Sequence, residues 1–220
     1  MSRWGHPDTV AGFVQSSPNP SLMRFAEEAR TGAARRALDI GCGAARNALP
    51  LARAGWDVLG TDTSWPMLVA AAQRTRGEQL KGRLQLTLAA MDRLPVSDGS
   101  ADLIIAHGIW NLARSSDEFR RALREAARAA RPGAALFLFT FSRHTLAPDA
   151  RPVAGETFVF TQFSGDPQCF LTSEQIVEEL RAAGFASDAA VPLRELNSPA
   201  GLLRAGSGPV IYEGLFRFRS

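Results

Sequence analysis

Leu38-Asp39-Ile40-Gly41-Cys42-Gly43-Ala44-Ala45 decides how this 220-residue chain is read. Ala37–Ile40 has the apolar character of a short strand, Gly41-Cys42-Gly43 stops it, and Ala44–Ala54 is helical in composition, ending at Gly55. A strand that enters a glycine turn and opens a helix is a nucleotide site. Glycine lets the backbone approach a ligand closely, and ligands sit beyond the carboxyl ends of parallel strands.

Two ligand classes compete for such a turn. A dinucleotide fold places glycine at the third position of G-x-G-x-x-G, where this chain has Arg46. Asp39 lies two residues before the first glycine, where a carboxylate repels a pyrophosphate and favours a ligand with a cationic amino-acid group, such as S-adenosylmethionine. Asp62 closes the second strand, Trp56–Thr61, where an acid can accept both ribose hydroxyls. Dinucleotide proteins share that acid, so it does not discriminate by itself.

Strands and helices alternate outward from this point. Leu22–Arg30 has the spacing of a helix with one buried face, and a short helix is expected around Val10–Val14. Ser64 and Pro66 begin a helix after Asp62. Strands are expected at Leu84–Ala89, Ala101–Ala106 and Ala135–Phe141, the last apolar along nearly its whole length and so central. Asp117–Ala130 and Thr172–Ala183 read as helices, the first closed by Arg131-Pro132-Gly133. Ala186–Leu193 and Val210–Arg217 read as strands, an antiparallel pair at one edge. The alternation implies right-handed crossovers and a mostly parallel sheet. Ser142–Phe170 breaks it, with Phe158, Phe160, Phe163 and Phe170 among glycines and prolines.

These blocks resemble the class I S-adenosylmethionine-dependent methyltransferases, and more closely the small bacterial methyltransferase-11 type. The matching stretches are Asp39–Gly43, Gly60-Thr61-Asp62, Arg93-Leu94-Pro95 with Asp98–Asp102, Arg131-Pro132-Gly133, and Leu180–Phe185. The resemblance runs from about Leu38 to Phe185. It implies an α/β, Rossmann-like, doubly wound, seven-stranded sheet, mostly parallel with its last strand antiparallel. It also implies a cofactor, S-adenosyl-L-methionine (SAM), across the ends of the first four strands. The chain departs from the family at Ala45, where glycine is usual, and at Ala90, where an acid often receives the adenine amino group.

The expected cofactor contacts are Asp39, Gly41, Cys42, Gly43, Asp62, Thr63 and Met67, with Ala90, Met91 and Asp92 toward adenine. Cys42 is expected to contribute backbone rather than a reactive thiol. Packing is the ordinary role for Trp65 and Met67, although the family places such side chains near adenine. His107 follows the fourth strand in the segment that faces the methyl group, which makes it the candidate base or orienting residue. Trp110, Asn111, His144 and Phe160 are the candidate acceptor-site residues. Residues 1–34 are expected to form a helical cap, and Ser142–Phe170 an aromatic wall on the substrate side, in a single domain spanning 1–220.

Composition narrows the partners. The net charge is +3, and 45% of residues are hydrophobic, an ordinary globular balance. So small an excess of base argues against a nucleic-acid partner. Arg120, Arg121, Arg124, Arg128 and Arg131 read as a solvated helix face with neighbouring-turn pairs to Glu118 and Glu125. Two cysteines, Cys42 and Cys169, form no CxxC pair and no cluster with the three histidines, which argues against disulfides and a metal site. No stretch is long enough to span a bilayer and the N-terminus has no apolar signal core. The expectation is a cytoplasmic monomer or homodimer acting on a small-molecule substrate. A SAM-binding protein without transferase activity, a nicotinamide reductase and an RNA methyltransferase are the competing readings.

Overall fold

The computed structural model describes residues 3–29, 35–80, 82–189, 191–197 and 208–219. Two helices, α1 (Pro7–Gln15) and α2 (Pro20–Glu28), precede the sheet. Then follow β1 (Arg36–Ile40), α3 (Ala48–Arg53), β2 (Asp57–Asp62), α4 (Trp65–Arg74), β3 (Leu84–Leu88) and β4 (Ala101–His107). The second half holds α5 (Ser116–Ala129), β5 (Ala130–Phe141), a short hairpin of β6 (Val159–Phe160) and β7 (Gln168–Cys169), and α6 (Ser173–Ala182). The strands β8 (Phe185–Ser187), β9 (Arg194–Leu196) and β10 (Ile211–Phe218) complete it.

The main sheet runs β3-β2-β1-β4-β5-β10-β8. All pairs from β3 to β5 are parallel, and β10 runs antiparallel to both β5 and β8. β9 pairs with the same edge of β10 beyond β8; of the expected run Ala186–Leu193 only Ala186 and Ser187 are strand among the described residues, and β9 begins just after it, at Arg194. The outcome is the expected mostly parallel α/β sheet, with seven strand positions and one reversed strand. The strand order reverses between β1 and β4, and the glycine turn lies at that switch.

Alternation along the central strands explains why both faces are covered. Ile104 and Ala106 of β4 and Leu136 and Leu138 of β5 enter a core under α5 and α6. Leu103, Ile105, Ala135 and Phe137 point the other way, into a second core under α2 and α3. Each helix is set by local chemistry. Asn19 caps α2 by accepting from Leu22 N, Ser115 caps α5, and Thr172 forms a capping box with Gln175 at the start of α6.

Three local expectations are corrected. The helix after the turn begins at Ala48, not Ala44, because Ala45 sits at φ 58° and holds Ala44–Asn47 in turns. Arg131-Pro132-Gly133 does not close α5 as a loop. It forms a bulge inside β5, where the register to β4 jumps from Ala101↔Ala130 to Leu103↔Ala135. The arginines of α5 are not mainly paired along their own helix. Arg120 meets Glu179, Arg121 meets Asp92, and Arg128 grips Asp98 and the carbonyls of Leu94 and Val96. Arg131 meets Asp102 in the same way, and Arg128–Glu125 is the pair within one turn. These ties hold the loop between β3 and β4 in place.

Among the described residues no helix is long and apolar enough to cross a membrane. The expected cap is described for residues 3–29; residues 30–34, including the end of the expected helix at Arg30, lie outside the described residues.

Candidate functional site

The carboxyl ends of β1, β2, β3 and β4 open into a crevice of two adjoining chambers, about 430 and 270 Å³. They share Trp4, Gly41, Asp62, Thr63, Ile109, Leu112 and Gln168. The larger chamber runs past Ala89, Ala90 and Met91 at the end of β3. The smaller is lined by Phe13, Gly43, Arg46, Met67, His107, Asn111, Phe139, Phe141 and Phe163. A groove of about 440 Å³ lies at the opposite ends of the strands, lined by Arg36, Asp57 and Arg83. It lacks the turn geometry and the position at which parallel sheets bind ligands.

The turn is built by its neighbours. Gly41 has φ 68°, and a Cβ there would come within 2.6 Å of Ile109 Cδ1, so glycine is required by both conformation and space. Cys42 N donates to Thr61 O at 2.9 Å and Gly43 N donates to Asp62 Oδ2 at 2.8 Å. Asp62 Oδ1 accepts from Ser64 N at 2.7 Å. Ser64 therefore does not cap α4 through its hydroxyl, which donates instead to the Trp4 carbonyl and ties the N-terminal segment to the crevice. Burial raises the Asp62 carboxyl above its ordinary value, against the backbone N–H groups of Ser64, Gly43 and Thr63. Cys42 is buried, with its thiol pushed well up by burial and by Asp39, which makes it inert.

Asp39 is wholly buried behind the turn, and its Oδ2 has no hydrogen-bond partner among the described residues. Burial lifts its carboxyl to about 7, against the attraction of Arg46. Asn111 is likewise buried, with Oδ1 unpartnered, and it lines the smaller chamber. The orphaned amide oxygen of Asn111, in the chamber wall, fits a ligand bearing a hydrogen-bond-donating group, whereas Asp39 and Cys42, expected as cofactor contacts, are buried behind the turn and line neither chamber.

His107 stands at the end of β4, stacked on Phe139 with ring centroids 4.1 Å apart. Its Nδ1 is 2.7 Å from Arg46 Nη2, and its Nε2 is 3.3 Å from Asn19 Nδ2. Burial and the Arg46 charge push the imidazole down to about 3, so at neutral pH it is uncharged and a weak base. Orienting its neighbours suits this ring better than taking a proton. Sequence reasoning did not name Arg46 as a site residue.

The other candidate positions separate. Thr63, Met67, Ala90 and Met91 line the crevice as expected. Asp92 turns to Arg121 at 3.1 Å and is not among the lining residues. Trp110 is buried in the core against Phe119 and does not reach the crevice. His144 is exposed, paired with Glu195 at 2.7 Å, away from both chambers. Phe160 is buried in the core against Phe170, together with its neighbours Phe158 and Val159, and does not line the crevice. The insertion reaches the crevice through Phe163, 41% exposed, and through Asp166, Pro167 and Gln168 instead.

Residues 38–138 match a family model described as a methyltransferase domain, of the methyltransferase-11 type. Methyltransferase GfsG of Streptomyces halstedii is 32% identical over 60% of this chain and 47% of its own length. The demethylmenaquinone methyltransferase of Streptomyces avermitilis is 28% identical over 70% of this chain and 69% of its own. The chain thus spans about half the length of the first of these relatives. In fold it is similar to a SAM-dependent methyltransferase of Methanosarcina mazei, with TM-score 0.69 and 20% identity over 93% of this chain and 99% of that one. With the reversed seventh strand, the glycine turn at the switch point and Asp62 at the end of β2, the chain carries a methyltransferase-domain match over residues 38–138 and is similar in fold to SAM-dependent methyltransferases.

Proposed function

We propose that this protein transfers the methyl group of SAM to an O, N, S or C atom of a small molecule. The observation that carries this reading is the two-chamber crevice. One chamber runs from the glycine turn past Asp62 toward Ala90 and Met91, and the second adjoins it with an aromatic wall. Bound SAM supplies an electrophilic sulfonium methyl, so the protein's part is binding, alignment and exclusion of water.

In this reading Asp62 holds the ribose hydroxyls with the lone pairs its backbone donors leave free. Ala90 and Met91 face the adenine. Asp39, partnerless on one oxygen, attracts the amino group electrostatically. The turn offers less backbone to the cofactor than its sequence implies, since the N–H groups of Cys42 and Gly43 are already engaged. Trp4 and Phe13 from the N-terminal cap and Phe163 from the insertion wall off the reacting end. His107 orients this end rather than acting as a base.

A small acceptor is favoured over RNA because cap and insertion narrow the crevice, and Arg120, Arg121, Arg128 and Arg131 are engaged with acids of this chain. The demethylmenaquinone enzyme, a relative named for a small molecule, supports the same class. Two free, buried cysteines suit a reducing cytoplasm. Calorimetry tests the reading: S-adenosylhomocysteine binds in the micromolar range and NADP does not. Tight NADP binding with no S-adenosylhomocysteine binding would overturn it.

A further inference from the structure

The smaller chamber has a polar floor whose donors outnumber its acceptors. Arg46 Nη2 lies 2.7 Å from His107 Nδ1 and 3.3 Å from Nε2. Asn19 Nδ2 lies 3.3 Å from the same Nε2. The orientation of Asn19 is fixed, because its Oδ1 accepts from Leu22 N at 2.9 Å while its Nδ2 donates to Glu213 Oε2 at 2.6 Å. Both neighbours of the imidazole are therefore donors, and a neutral ring can accept at one nitrogen only.

The shorter, charge-assisted contact decides which one. Nδ1 accepts from Arg46, which leaves the proton on Nε2, facing an amide that has only N–H to offer. Arg46 is half-buried, and burial pulls its guanidinium down from the ordinary value. Among the described residues its side chain makes no direct ion pair: Asp39 attracts it from behind the turn, and its hydrogen-bonding contact is the uncharged His107. Glu213, the carboxylate of this cluster, is engaged with Asn19 and does not line the chamber, whereas Arg46 and His107 do. A half-desolvated cation and an unmatched ring N–H thus face a cavity walled by Phe139, Phe141 and Phe163.

We propose that Arg46 and the Nε2–H of His107 form a receptor for a carboxylate, with the ring held by Arg46 and by its stack on Phe139. The setting rests on the methyl-transfer reading. The carboxylate is that of an aromatic acid acting as methyl acceptor. Arg46 matches a carboxylate bidentately, and the aromatic wall matches a flat ring behind it.

Paired ligands that differ only in the carboxylate provide the test. Wild type, Arg46→Gln and Arg46→Lys are titrated calorimetrically with S-adenosylhomocysteine and its decarboxylated analogue. The same proteins are titrated with 2-naphthoate and 2-naphthol, each with and without saturating S-adenosylhomocysteine. In the naphthyl pair the carboxylate ligand should lose about tenfold or more in Arg46→Gln while its carboxylate-free partner is unchanged, with a smaller loss in Arg46→Lys. Loss confined to the adenosyl pair assigns the floor to the cofactor and overturns the proposal. If 2-naphthoate does not bind wild type, if neither carboxylate is affected, or if both members of each pair weaken alike, the proposal fails. If no adenosyl ligand binds wild type, the cofactor reading fails, and the naphthyl pair still decides the floor. Nitrogen-15 NMR of His107 gives a readout without mutation: neutral and protonated at Nε2 at pH 7. A ring protonated at Nδ1, or a charged ring, overturns the proposal.

Discussion

Asp62 Oδ2 accepts the backbone N–H of Gly43 at 2.8 Å, so the acid that ends β2 also holds the turn that ends β1. One carboxylate therefore does two jobs, and a binding defect on its removal comes with a folding defect.

Asp62→Ala is expected to weaken S-adenosylhomocysteine binding by about 1.5–3 kcal/mol through the lost charged acceptor. It is also expected to destabilise the fold by about 1–3 kcal/mol, since the N–H groups of Gly43 and Ser64 lose their partner. Calorimetry and urea denaturation check the two effects. Asp62→Asn, which keeps an acceptor, should recover more of the stability than of the affinity. A strand-end acid read from sequence alone suggests the opposite, that folding is little affected.

Asp39 gives stability a pH dependence of definite sign. Its folded pKa is raised to about 7 from an ordinary value of 3.8, so between those values the folded state holds a proton that the unfolded chain has released. Stability contributed at this site is greatest at low pH, falls as pH rises through that window, and levels off above about 7. Asp39→Asn should flatten this part of the curve, seen as a smaller difference between denaturation midpoints at pH 5 and pH 8. An unchanged slope would place the titration on another group.

Ala45 occupies the left-handed region at φ 58° with its side chain buried. That conformation costs an L-residue roughly 1–2 kcal/mol, while glycine returns roughly 0.5–1 kcal/mol of this as extra freedom in the unfolded chain. Ala45→Gly is expected to stabilise the protein by up to about 1 kcal/mol, or a rise of roughly 2–4 °C in Tm for a chain of this size. A fall in Tm would mean that the buried methyl group contributes more than the strain costs.

The two phenylalanines of the insertion should separate stability from turnover. Phe160→Ala opens a cavity in the core and is expected to cost about 3–5 kcal/mol. Phe163→Ala should leave stability within about 1 kcal/mol and reduce turnover of an accepted substrate, because this ring lines the chamber. Equal loss of stability in both variants would move Phe163 into the core.

The fold was legible because its signals are local. Apolar runs such as Ala135–Phe141, the stops at Gly41 and Gly55, and the helix start at Thr172 each act within a few residues. Most of the crevice followed from the same logic, since the ends of β1, β2 and β4 carry Gly41, Asp62 and His107. What escaped depends on distant partners. Asn19 and Glu213 meet across nearly the whole chain, and nothing near either residue signals the other. Asp92 was drawn away by Arg121, and His144 by Glu195. Phe158, Val159 and Phe160 are all buried, so nothing in their local pattern tells a core ring from a crevice ring. Ala45 stands where the family usually has glycine, and the conformation that glycine relieves is still there.

Because β10 is inserted between β5 and β8, the strand made last among those described is not an edge but an interior member of the sheet. During synthesis β5 must wait with an open hydrogen-bonding edge, its apolar face partly uncovered, until residues 211–218 emerge. Glu213 arrives with that strand, so Asn19, made near the start, gains its carboxylate partner only at the end. The nascent chain is therefore most prone to aggregation late, and the crevice acquires its finished floor only as the sheet closes.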